Sequence, residues 1–517
     1  MSHLREAEHK RYFVQASGSP FWLSLMSGLS DSHLPTLVLV DDRLADQIEE
    51  TYPTARVLRA NDLKHGLFRR TDCVPMPPEL RESELFSRRF GQALYSLERL
   101  SVGGEIDFPR RQVLLSSLTD FLWGEFIKCD PDFGIMTESP HTLSDLILTG
   151  IAECLGKPIL HFQQNGFIPT VRPVVGPECH PIDLNSLLSP GQEAIRQTQI
   201  ANFRSRYLDF VQGAASRSLA QFESAVSDLD VAVFSGWKAP WRRFYVPYAW
   251  LDEERQQVRL AMQRGEIGEE EFWHSSHGLT AKETVITLGR RSLRLCVRQS
   301  RQIRKLRESL ESHAVEIPSG KFVAMFLSFE PEKTSVPDGG VFGDQVFAIR
   351  SLAGALGGKM PLVVREHPSQ LTMAKRGFRV RRNEFYEEIA SIPNVHLINA
   401  RVSRDEIFAG AAAVVTLTGT VGVESWLQGI PVILLGRTWY SGLEGICSLD
   451  KYSSLPECVE DALSVTPKVV GDRIEVLWRY IESSSIVNVL NPFFDKSHGQ
   501  VTDDTSSLVA VVRGLFG

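Results

Sequence analysis

Cysteine is scarce in this sequence and follows no pattern. The 517 residues contain seven cysteines, an odd number, and no two of them form a Cys-X-X-Cys pair. Such a set excludes a disulfide framework and argues against a structural zinc site. This usage favours reduced thiols in a cytoplasm. The positions are Cys73, Cys129, Cys154, Cys179, Cys296, Cys447 and Cys458.

Long apolar runs and an excess of basic residues are also missing. The longest apolar run, around Ala409 to Val423, contains threonines and ends at Glu424, so it is too short and too polar to span a bilayer. The first residues, MSHLREAEHKRYF, lack the apolar core of a signal peptide. A formal net charge of −7 argues against a general nucleic-acid binder. We therefore expect a cytoplasmic protein, with a peripheral position on the inner face of the plasma membrane left open.

The length of the chain predicts more than one domain, of α/β class. A chain of 517 residues is too long for one core, and its 43% hydrophobic and 23% charged residues are typical of a globular protein. Residues 1–188 alternate buried strands with helices, as at Pro35 to Asp41 and Phe133 to Thr137, which indicates a Rossmann-like parallel sheet. Residues 318–485 repeat this alternation after Pro318-Ser319-Gly320 and form a second Rossmann-like domain.

The remaining residues are expected to be helical. Between residues 189 and 317 the strand pattern fades, which predicts a helical insertion between the two Rossmann-like domains. Residues 486–517 end in a predicted helix, Ser506 to Phe516. We expect this helix to cross back onto the first domain.

One segment, Ala411 to Gly436, contains a whole βαβ unit. Its sequence, AAAVVTLTGTVGVESWLQGIPVILLG, places a polar turn between a small, β-branched strand and a helix. Loops at the carboxyl ends of parallel strands, with the helix N-termini behind them, favour phosphate. Glu424 is placed to accept hydrogen bonds from ribose hydroxyls, although an ordinary tight turn whose threonines cap the helix explains the segment as well. The candidate phosphate turn consists of Thr418, Gly419, Thr420 and Gly422.

A basic helix is predicted within the helical insertion. Five basic residues spaced three and four apart share one face, and Ile303, Leu306 and Leu310 lie on another. A solvated charged face explains this pattern. The sharper hypothesis is a contact with anionic lipid headgroups or a phosphorylated lipid acceptor. The five residues are Arg291, Arg294, Arg298, Arg301 and Lys305.

Several segments together resemble the bacterial capsule polysaccharide biosynthesis family, which includes the Kdo-linker transferases. In the C-terminal half these are FEPEKTSVPDGGVFGDQ (Phe329 to Gln345), REHPSQ (Arg365 to Gln370), TGTVGVESWLQGIPVILLG (Thr418 to Gly436) and RTWY (Arg437 to Tyr440). TESPHTLSDLIL (Thr137 to Leu148) and HFQQNGF (His161 to Phe167) extend the resemblance into the N-terminal domain. It implies the glycosyltransferase-B architecture, in which two Rossmann-like domains face a cleft.

The resemblance also implies a nucleotide-sugar donor, CMP-Kdo or a similar CMP-ulosonic acid, and a capsule or surface-glycan acceptor. His367, with Pro368, follows a predicted strand and is expected to bind a nucleotide phosphate, as a His-Pro pair does in related CMP-sugar transferases. A histidine that caps a loop is the alternative. Arg365 alternates to the same face and is expected to pair with a donor carboxylate or phosphate. Gln345 lies on the first loop of this domain, where the family places sugar or nucleotide contacts.

The catalytic group is expected in the N-terminal domain. Transferases of similar design carry an acidic-Asp-Gly motif after a strand, whereas this chain has Gln164-Asn165-Gly166 at the matching place. An amide is neither a general base nor a carboxylate nucleophile, so Asn165 puts double displacement through that position in doubt. Glu138 and His141, on the turn after the adjoining strand, are the remaining candidates. A helix N-terminal charge is the other explanation of Glu138.

No metal is expected, and no cofactor besides the nucleotide sugar. Asp130-Pro131-Asp132 imitates a metal-binding DxD motif, but it precedes its strand and so lies at the wrong end of the sheet. We interpret these residues as a turn.

Two rival functions stay open beside a metal-independent glycosyltransferase. A nucleotide-sugar 2-epimerase has the same two-domain fold and similar ribose-binding glutamates, and it converts a UDP-sugar without an acceptor. A non-catalytic assembly protein would keep the fold and bind a glycan or a partner without turnover, and the departure at Asn165 keeps that interpretation open.

Overall fold

The chain forms two compact units in a computed structural model. Unit 1 consists of Met1–Arg206, Glu253–Leu288 and Ile481–Gly517, and unit 2 of Tyr207–Asp252 and Gly289–Tyr480. Each unit contains one largely parallel sheet, so the predicted α/β class with two Rossmann-like domains is confirmed. The structure describes residues 9–64, 66–100, 108–176, 180–216, 256–265, 281–330, 332–372, 377–465, 470–487 and 505–517.

The sheet of unit 1 has the order β14-β6-β5-β4-β1-β2-β3, with β7 paired to β6. The first five strands along the chain pair in parallel, and β6, β7 and β14 add an antiparallel edge. The strands are β1 (Lys10–Ala16), β2 (His33–Val40), β3 (Arg56–Arg59), β4 (Phe133–Met136), β5 (Ile159–Gln164), β6 (Thr170–Val175), β7 (His180–Pro181) and β14 (Ile486–Val487).

Helices cover both faces of this sheet because its strands are apolar on both sides. Tyr12 and Val14 of β1 belong to one buried cluster and Phe13 to the other, as the alternation of a strand requires. The helices of unit 1 are Phe21–Leu29, Asp42–Thr51, Ala60–Lys64, Pro78–Arg81, Glu84–Leu100, Phe108–Cys129, Leu143–Cys154, Leu184–Leu187 and Thr505–Phe516, with a 3-10 turn at Arg70–Asp72.

The last helix, Thr505–Phe516, packs against the first, Phe21–Leu29, within unit 1. Their approach is so close that a Cβ atom on Gly28 would lie 2.6 Å from a methyl carbon of Val509. The C-terminal helix therefore belongs to the same unit as the first helix.

The sheet of unit 2 is parallel throughout, in the order β10-β9-β8-β11-β12-β13. Counted from the first strand of the unit, this is the doubly wound order 3-2-1-4-5-6. The strands are β8 (Phe322–Phe326), β9 (Leu362–Arg365), β10 (Val395–Ile398), β11 (Ala411–Thr416), β12 (Val432–Leu434) and β13 (Ile446–Ser448).

Helices connect the strands from β8 to β12 in chain order. Asp344 begins the first of them, since its side chain accepts from the backbone N–H groups of Val346 and Phe347, both at 3.1 Å. The helices of unit 2 are Gln345–Leu356, Phe385–Ala390, Arg404–Gly410, Thr420–Leu427, Leu455–Ser464 and the start of Val470–Ser484, with 3-10 turns at Gly340–Gly343, Gly377–Arg379 and Leu449–Lys451.

Two long helices, Pro190–Ser216 and Ala281–His313, account for most of the described middle region. In the second of them Ile303, Leu306 and Leu310 are buried against unit 2, whereas Arg298, Arg301 and Lys305 are exposed. The two predicted faces are thus confirmed for these residues. The side chains of Arg291 and Arg294 lie outside the described residues. Among the helices that the structure describes, none is both long and apolar enough to cross a membrane.

Candidate functional site

The strand order of unit 2 reverses between β8 and β11. Ligands of doubly wound sheets bind outside the carboxyl ends of the strands at this reversal, because the two following connections leave in opposite directions and open a crevice. The loop after β8 and the turn after β11 are the segments that meet there. Two of the predicted site segments, the Phe329 to Gln345 loop and the Thr418 to Gly422 turn, therefore lie together.

The turn after β11 is fixed by hydrogen bonds to its neighbours. The Thr418 hydroxyl donates to the carbonyl oxygen of Thr334 at 3.1 Å, which ties the turn to the loop after β8. The backbone N–H of Gly419 donates to the Thr416 hydroxyl at 3.2 Å. Gly419 then begins the helix Thr420–Leu427, and no described side chain caps that helix. The alternative in which the threonines cap the helix is therefore wrong, and the helix begins at the strand reversal without a side-chain cap.

Tyr440 of the RTWY segment forms a hydrogen bond with the same turn. Its hydroxyl donates to the carbonyl oxygen of Gly419 at 2.5 Å. A Cβ atom on Gly422 would lie 2.4 Å from that hydroxyl oxygen, so the contact requires glycine at this position. Burial raises the pKa of Tyr440 well above its ordinary value, which keeps the hydroxyl a donor at all physiological pH values.

Gln345 holds the start of the loop after β8. Its side-chain oxygen accepts from the Ser328 N–H at 2.7 Å, and its side-chain nitrogen donates to the Ser328 carbonyl at 3.0 Å. Only 2% of Gln345 is exposed. Its amide therefore positions the loop, and it does not make the ligand contact that was predicted for it. Ser328 itself carries a buried hydroxyl with no hydrogen-bond partner among the described residues, at the carboxyl end of β8. Sequence patterns did not single out Ser328.

His367 and Pro368 lie in the turn after β9, both half-buried. The backbone N–H of Ser369 donates to Nδ1 of His367 at 3.1 Å, so a neutral His367 carries its proton on Nε2. Phe329, from the loop after β8, contacts the ring with 5.6 Å between centroids. The imidazole is thus held as an Nε2–H donor beside the loop after β8.

Arg365 does not share the surroundings predicted for it beside His367. Its guanidinium donates to the carbonyl oxygen of Ala400 at 3.0 Å, lies 6.0 Å from the Phe326 ring centroid, and is 4% exposed. Arg365 therefore supports the neighbouring β10 connection. The prediction failed because alternation along a strand does not continue through the turn that begins at Glu366.

Glu366 is the motif residue that sequence reasoning missed. Its carboxylate is fully buried and accepts from Arg381, from the Tyr386 hydroxyl at 2.9 Å and from the His367 N–H at 2.7 Å. Burial raises the pKa of Tyr386 well above its ordinary value, so its hydroxyl stays a donor. The sequence places this glutamate between an apolar strand and a His-Pro pair, a position that predicts burial. A buried carboxylate needs a partner, which here comes from a distant part of the chain.

Glu424 is not available to ribose in this structure, contrary to the prediction. Its side chain is 0% exposed, and one carboxylate oxygen accepts from Arg404 Nη1 at 2.6 Å. From its place one turn into the helix Thr420–Leu427, the side chain of Glu424 reaches the first residue of the helix Arg404–Gly410. The arginine that explains the glutamate lies twenty residues earlier in the chain.

The strand order of unit 1 reverses between β1 and β4, and the turn with Glu138 and His141 follows β4 at that point. His161 of β5 is buried, which lowers its pKa to about 4 and keeps it neutral. Its Nδ1–H donates to the Glu138 carbonyl at 3.3 Å. Nδ1 of His141 donates to the Ser139 carbonyl at 3.0 Å, which leaves Nε2 of a neutral His141 as the basic nitrogen.

The helix behind this turn is closed by its own capping box. The Thr142 hydroxyl accepts from the Asp145 N–H at 3.4 Å, and the Asp145 carboxylate accepts from the Thr142 N–H at 3.3 Å. Because Asp145 already supplies the negative charge at this helix start, the cap does not require Glu138. Glu138 is half-buried on the turn and stays a candidate for chemistry.

Asn165 is used by its own loop. Its side-chain oxygen accepts from the N–H groups of Phe167 at 3.0 Å and Ile168 at 3.3 Å, its nitrogen donates to the Thr170 hydroxyl at 3.3 Å, and 2% of the residue is exposed. This amide shapes the connection between β5 and β6. The structure therefore removes Asn165 from the candidate catalytic residues.

Asp130 and Asp132 lie at the amino end of β4, as their order in the sequence predicted. Arg11 binds both, with its guanidinium 2.6 Å from Asp130 Oδ2 and its backbone N–H 2.8 Å from Asp132 Oδ2. Within the described ranges, no group of three or more histidine, cysteine, aspartate or glutamate side chains is arranged to hold a metal ion.

Fold and site define unit 2 as a doubly wound α/β domain with an uncapped helix start at its strand reversal. Residues 297–452 match the model of the family described as capsule polysaccharide biosynthesis protein. This region, which contains β8 to β13, is similar to that family, and the resemblance seen in its motifs is confirmed there. The N-terminal segments lie outside the match. No curated protein is significantly similar to the chain.

Solved structures of several enzymes match the chain at low identity. The Thermosulfurimonas dismutans KpsC, a beta Kdo 2,7 transferase, is 13% identical over 41% of this chain and 60% of its own, with a TM-score of 0.24. A putative UDP-N-acetylglucosamine 2-epimerase from Listeria monocytogenes is 10% identical over 96% of this chain and 99% of its own, with a TM-score of 0.22. Because both TM-scores are low, the fold assignment depends on the strand orders above and not on these two structures.

Proposed function

We propose that this protein is a glycosyltransferase of capsule or surface-polysaccharide synthesis that uses a nucleotide-sugar donor, CMP-Kdo or a related CMP-ulosonic acid. The observation that carries the proposal is the uncapped start of the helix Thr420–Leu427 at the strand reversal of unit 2, inside the region that matches the family. Backbone N–H groups and the positive helix end suit a nucleotide phosphate there. The Nε2–H of His367 adds a side-chain donor on the neighbouring turn.

The chemistry is assigned to the turn after β4 in unit 1. A sugar transfer through an oxocarbenium-like transition state needs a group that deprotonates the acceptor hydroxyl. Glu138 is the carboxylate on that turn, and His161 holds its backbone carbonyl. His141, three residues further, presents Nε2 to orient Glu138 or to hold the donor. The proposal includes no metal ion and no cofactor besides the donor.

A screen of CMP-, UDP- and GDP-sugars tests this function. We expect CMP-sugars to raise the melting temperature most and to be hydrolysed slowly without acceptor. Conversion of a UDP-sugar to its C2 epimer without acceptor would replace the proposal by the epimerase. Binding without turnover of any donor would leave a non-catalytic assembly protein.

His367→Ala is expected to weaken CMP binding by about 1 to 3 kcal/mol, the usual loss for one hydrogen bond to a charged group. Isothermal titration calorimetry of CMP with wild type and variant measures this difference. His396→Ala, at the half-buried second position of β10, is the matched control and is expected to bind like wild type. Equal affinity of His367→Ala and wild type would remove His367 from the donor site.

The exposed basic face of the helix Ala281–His313 is proposed to contact an anionic membrane surface. Reversal of Arg298, Arg301 and Lys305 to glutamate is expected to abolish sedimentation with phosphatidylglycerol vesicles, since each basic residue near such a surface contributes about 1 kcal/mol. Turnover on a soluble acceptor is expected to persist.

The control for this experiment reverses three exposed basic residues outside the helix and is expected to leave vesicle binding intact. They are Lys321, Lys359 and Arg401. Equal sedimentation of the helix variant and wild type would show that the face is merely solvated.

A further inference from the structure

A buried ionic cluster in unit 2 joins two motif segments that are distant in sequence. Arg381 donates from Nε and Nη2 to the two carboxylate oxygens of Glu366, at 3.0 and 3.1 Å, and from Nη1 to the carboxylate of Glu330. The exposed fractions are 2%, 0% and 5% for Arg381, Glu366 and Glu330. A buried cluster of charges contributes little net stability, because desolvation offsets the attraction between the charges. We therefore ask which neighbouring groups this cluster holds in position.

One side of the cluster ends at the backbone of His367. The Glu366 carboxylate that Arg381 grips also accepts from the His367 N–H at 2.7 Å. From this fixed backbone the turn continues to Ser369, whose N–H donates to Nδ1 of the His367 ring. Arg381 thus acts, through Glu366, on the backbone of the turn in which Ser369 fixes the ring orientation and the tautomer of His367.

The other side ends at the ring of His367. Gln370 accepts from the Glu330 N–H at 2.8 Å and donates to the Glu330 carbonyl at 2.9 Å, so the backbone of Glu330 is held at both groups while Arg381 holds its carboxylate. The residue before it, Phe329, contacts the His367 ring. The Arg381 guanidinium therefore holds two residues near His367: Glu366, which binds its backbone N–H, and Glu330, whose neighbour Phe329 contacts its ring.

We propose that Arg381 is a positioning residue that sets the orientation and the Nε2–H tautomer of His367 for a nucleotide phosphate. The part that concerns the phosphate rests on the proposed function; the part that concerns the ring does not. Lysine cannot grip one carboxylate with two parallel donors, so Arg381→Lys keeps the charge but loses the geometry.

A double-mutant cycle in CMP affinity tests the coupling. His367→Ala and Arg381→Lys are each expected to weaken CMP binding about tenfold or more, and the double variant no further than His367→Ala alone, because Arg381 acts through a ring that is then absent. Arg382→Lys, next in sequence and exposed, is the control and is expected to bind like wild type. Additive losses in the double variant would overturn the proposal.

Nitrogen-15 NMR of the histidine rings tests the positioning without any ligand. The His367 signal, assigned by its loss in His367→Ala, is expected to report the Nε2–H tautomer in wild type and a mixture of tautomers in Arg381→Lys. If wild type binds no nucleotide but this change occurs, the proposed function fails and the positioning role stands. An unchanged tautomer in a folded Arg381→Lys would overturn the role.

Should Arg381→Lys fail to fold, Tyr386→Phe replaces it in both experiments. This variant removes one hydroxyl donor from Glu366 and leaves all three charges paired. We expect Tyr386→Phe to shift the tautomer population of His367. We also expect it to lower CMP affinity a few-fold, and we expect this loss to disappear in the His367→Ala background. The absence of both changes would contradict the role of the cluster.

Discussion

Replacing Glu138 by glutamine is expected to cut glycosyl transfer by on the order of a hundredfold or more while leaving donor affinity nearly unchanged. Glutamine keeps the volume and most hydrogen bonds of glutamate but cannot accept the proton of the acceptor hydroxyl. The backbone of the turn is expected to stay in place, because His161 binds the carbonyl of residue 138 and not its side chain. Single-turnover assays with donor and acceptor, beside calorimetry with donor alone, separate the two effects.

Two variants make this result specific. Glu79→Gln, on the exposed surface of unit 1, is expected to transfer sugar at the wild-type rate. Asn165→Asp is expected to form no sugar adduct in intact-protein mass spectrometry, because its side chain is buried in the connection between β5 and β6. Near-wild-type turnover of Glu138→Gln would show that the base lies elsewhere, with Nε2 of His141 the next candidate.

Replacing Glu424 by alanine is expected to lower the free energy of unfolding by about 3 to 5 kcal/mol, the cost of leaving one partner of a buried ion pair behind. Arg404 is that partner, and the carboxylate has no exposed surface. Chemical denaturation followed by tryptophan fluorescence measures the loss, with Trp426 and Trp439 of unit 2 as buried reporters. Glu387→Ala, at an exposed position in unit 2, is the control and is expected to change stability little.

The same variant decides between the two roles considered for Glu424. If the residue is structural, CMP still raises the melting temperature of Glu424→Ala by about the wild-type increment. A variant that unfolds like wild type but no longer responds to CMP would restore the ribose contact.

The elements of unit 2 were largely predictable because their signals are local. The βαβ unit predicted in Ala411 to Gly436 is present as the strand Ala411–Thr416, the helix Thr420–Leu427 and the strand Val432–Leu434. Strands covered on both faces are runs of small and β-branched residues, so they stand out without tertiary information. In unit 1 the central strand β1 was missed, since KRYFVQA begins with two charged residues and has a glutamine near its end.

The sequence by itself determined the fold class, the two Rossmann-like sheets, and which loops follow the carboxyl ends of their strands. From these follow the turn at Thr418 to Gly422, the His-Pro turn and the turn with Glu138. Each depends on hydrophobic period, glycine and proline, which act over a few neighbouring residues.

Only the tertiary structure decided which polar side chains of those segments are already bound within the protein. Glu424 pairs with Arg404, Glu366 with Arg381, and the Asn165 amide turns into its own loop. A buried charge must be paired, and its partner comes from wherever the fold brings a guanidinium near. That choice depends on the packing of separate elements, so a glutamate one turn into a helix looks the same in sequence whether it faces a ribose or an arginine.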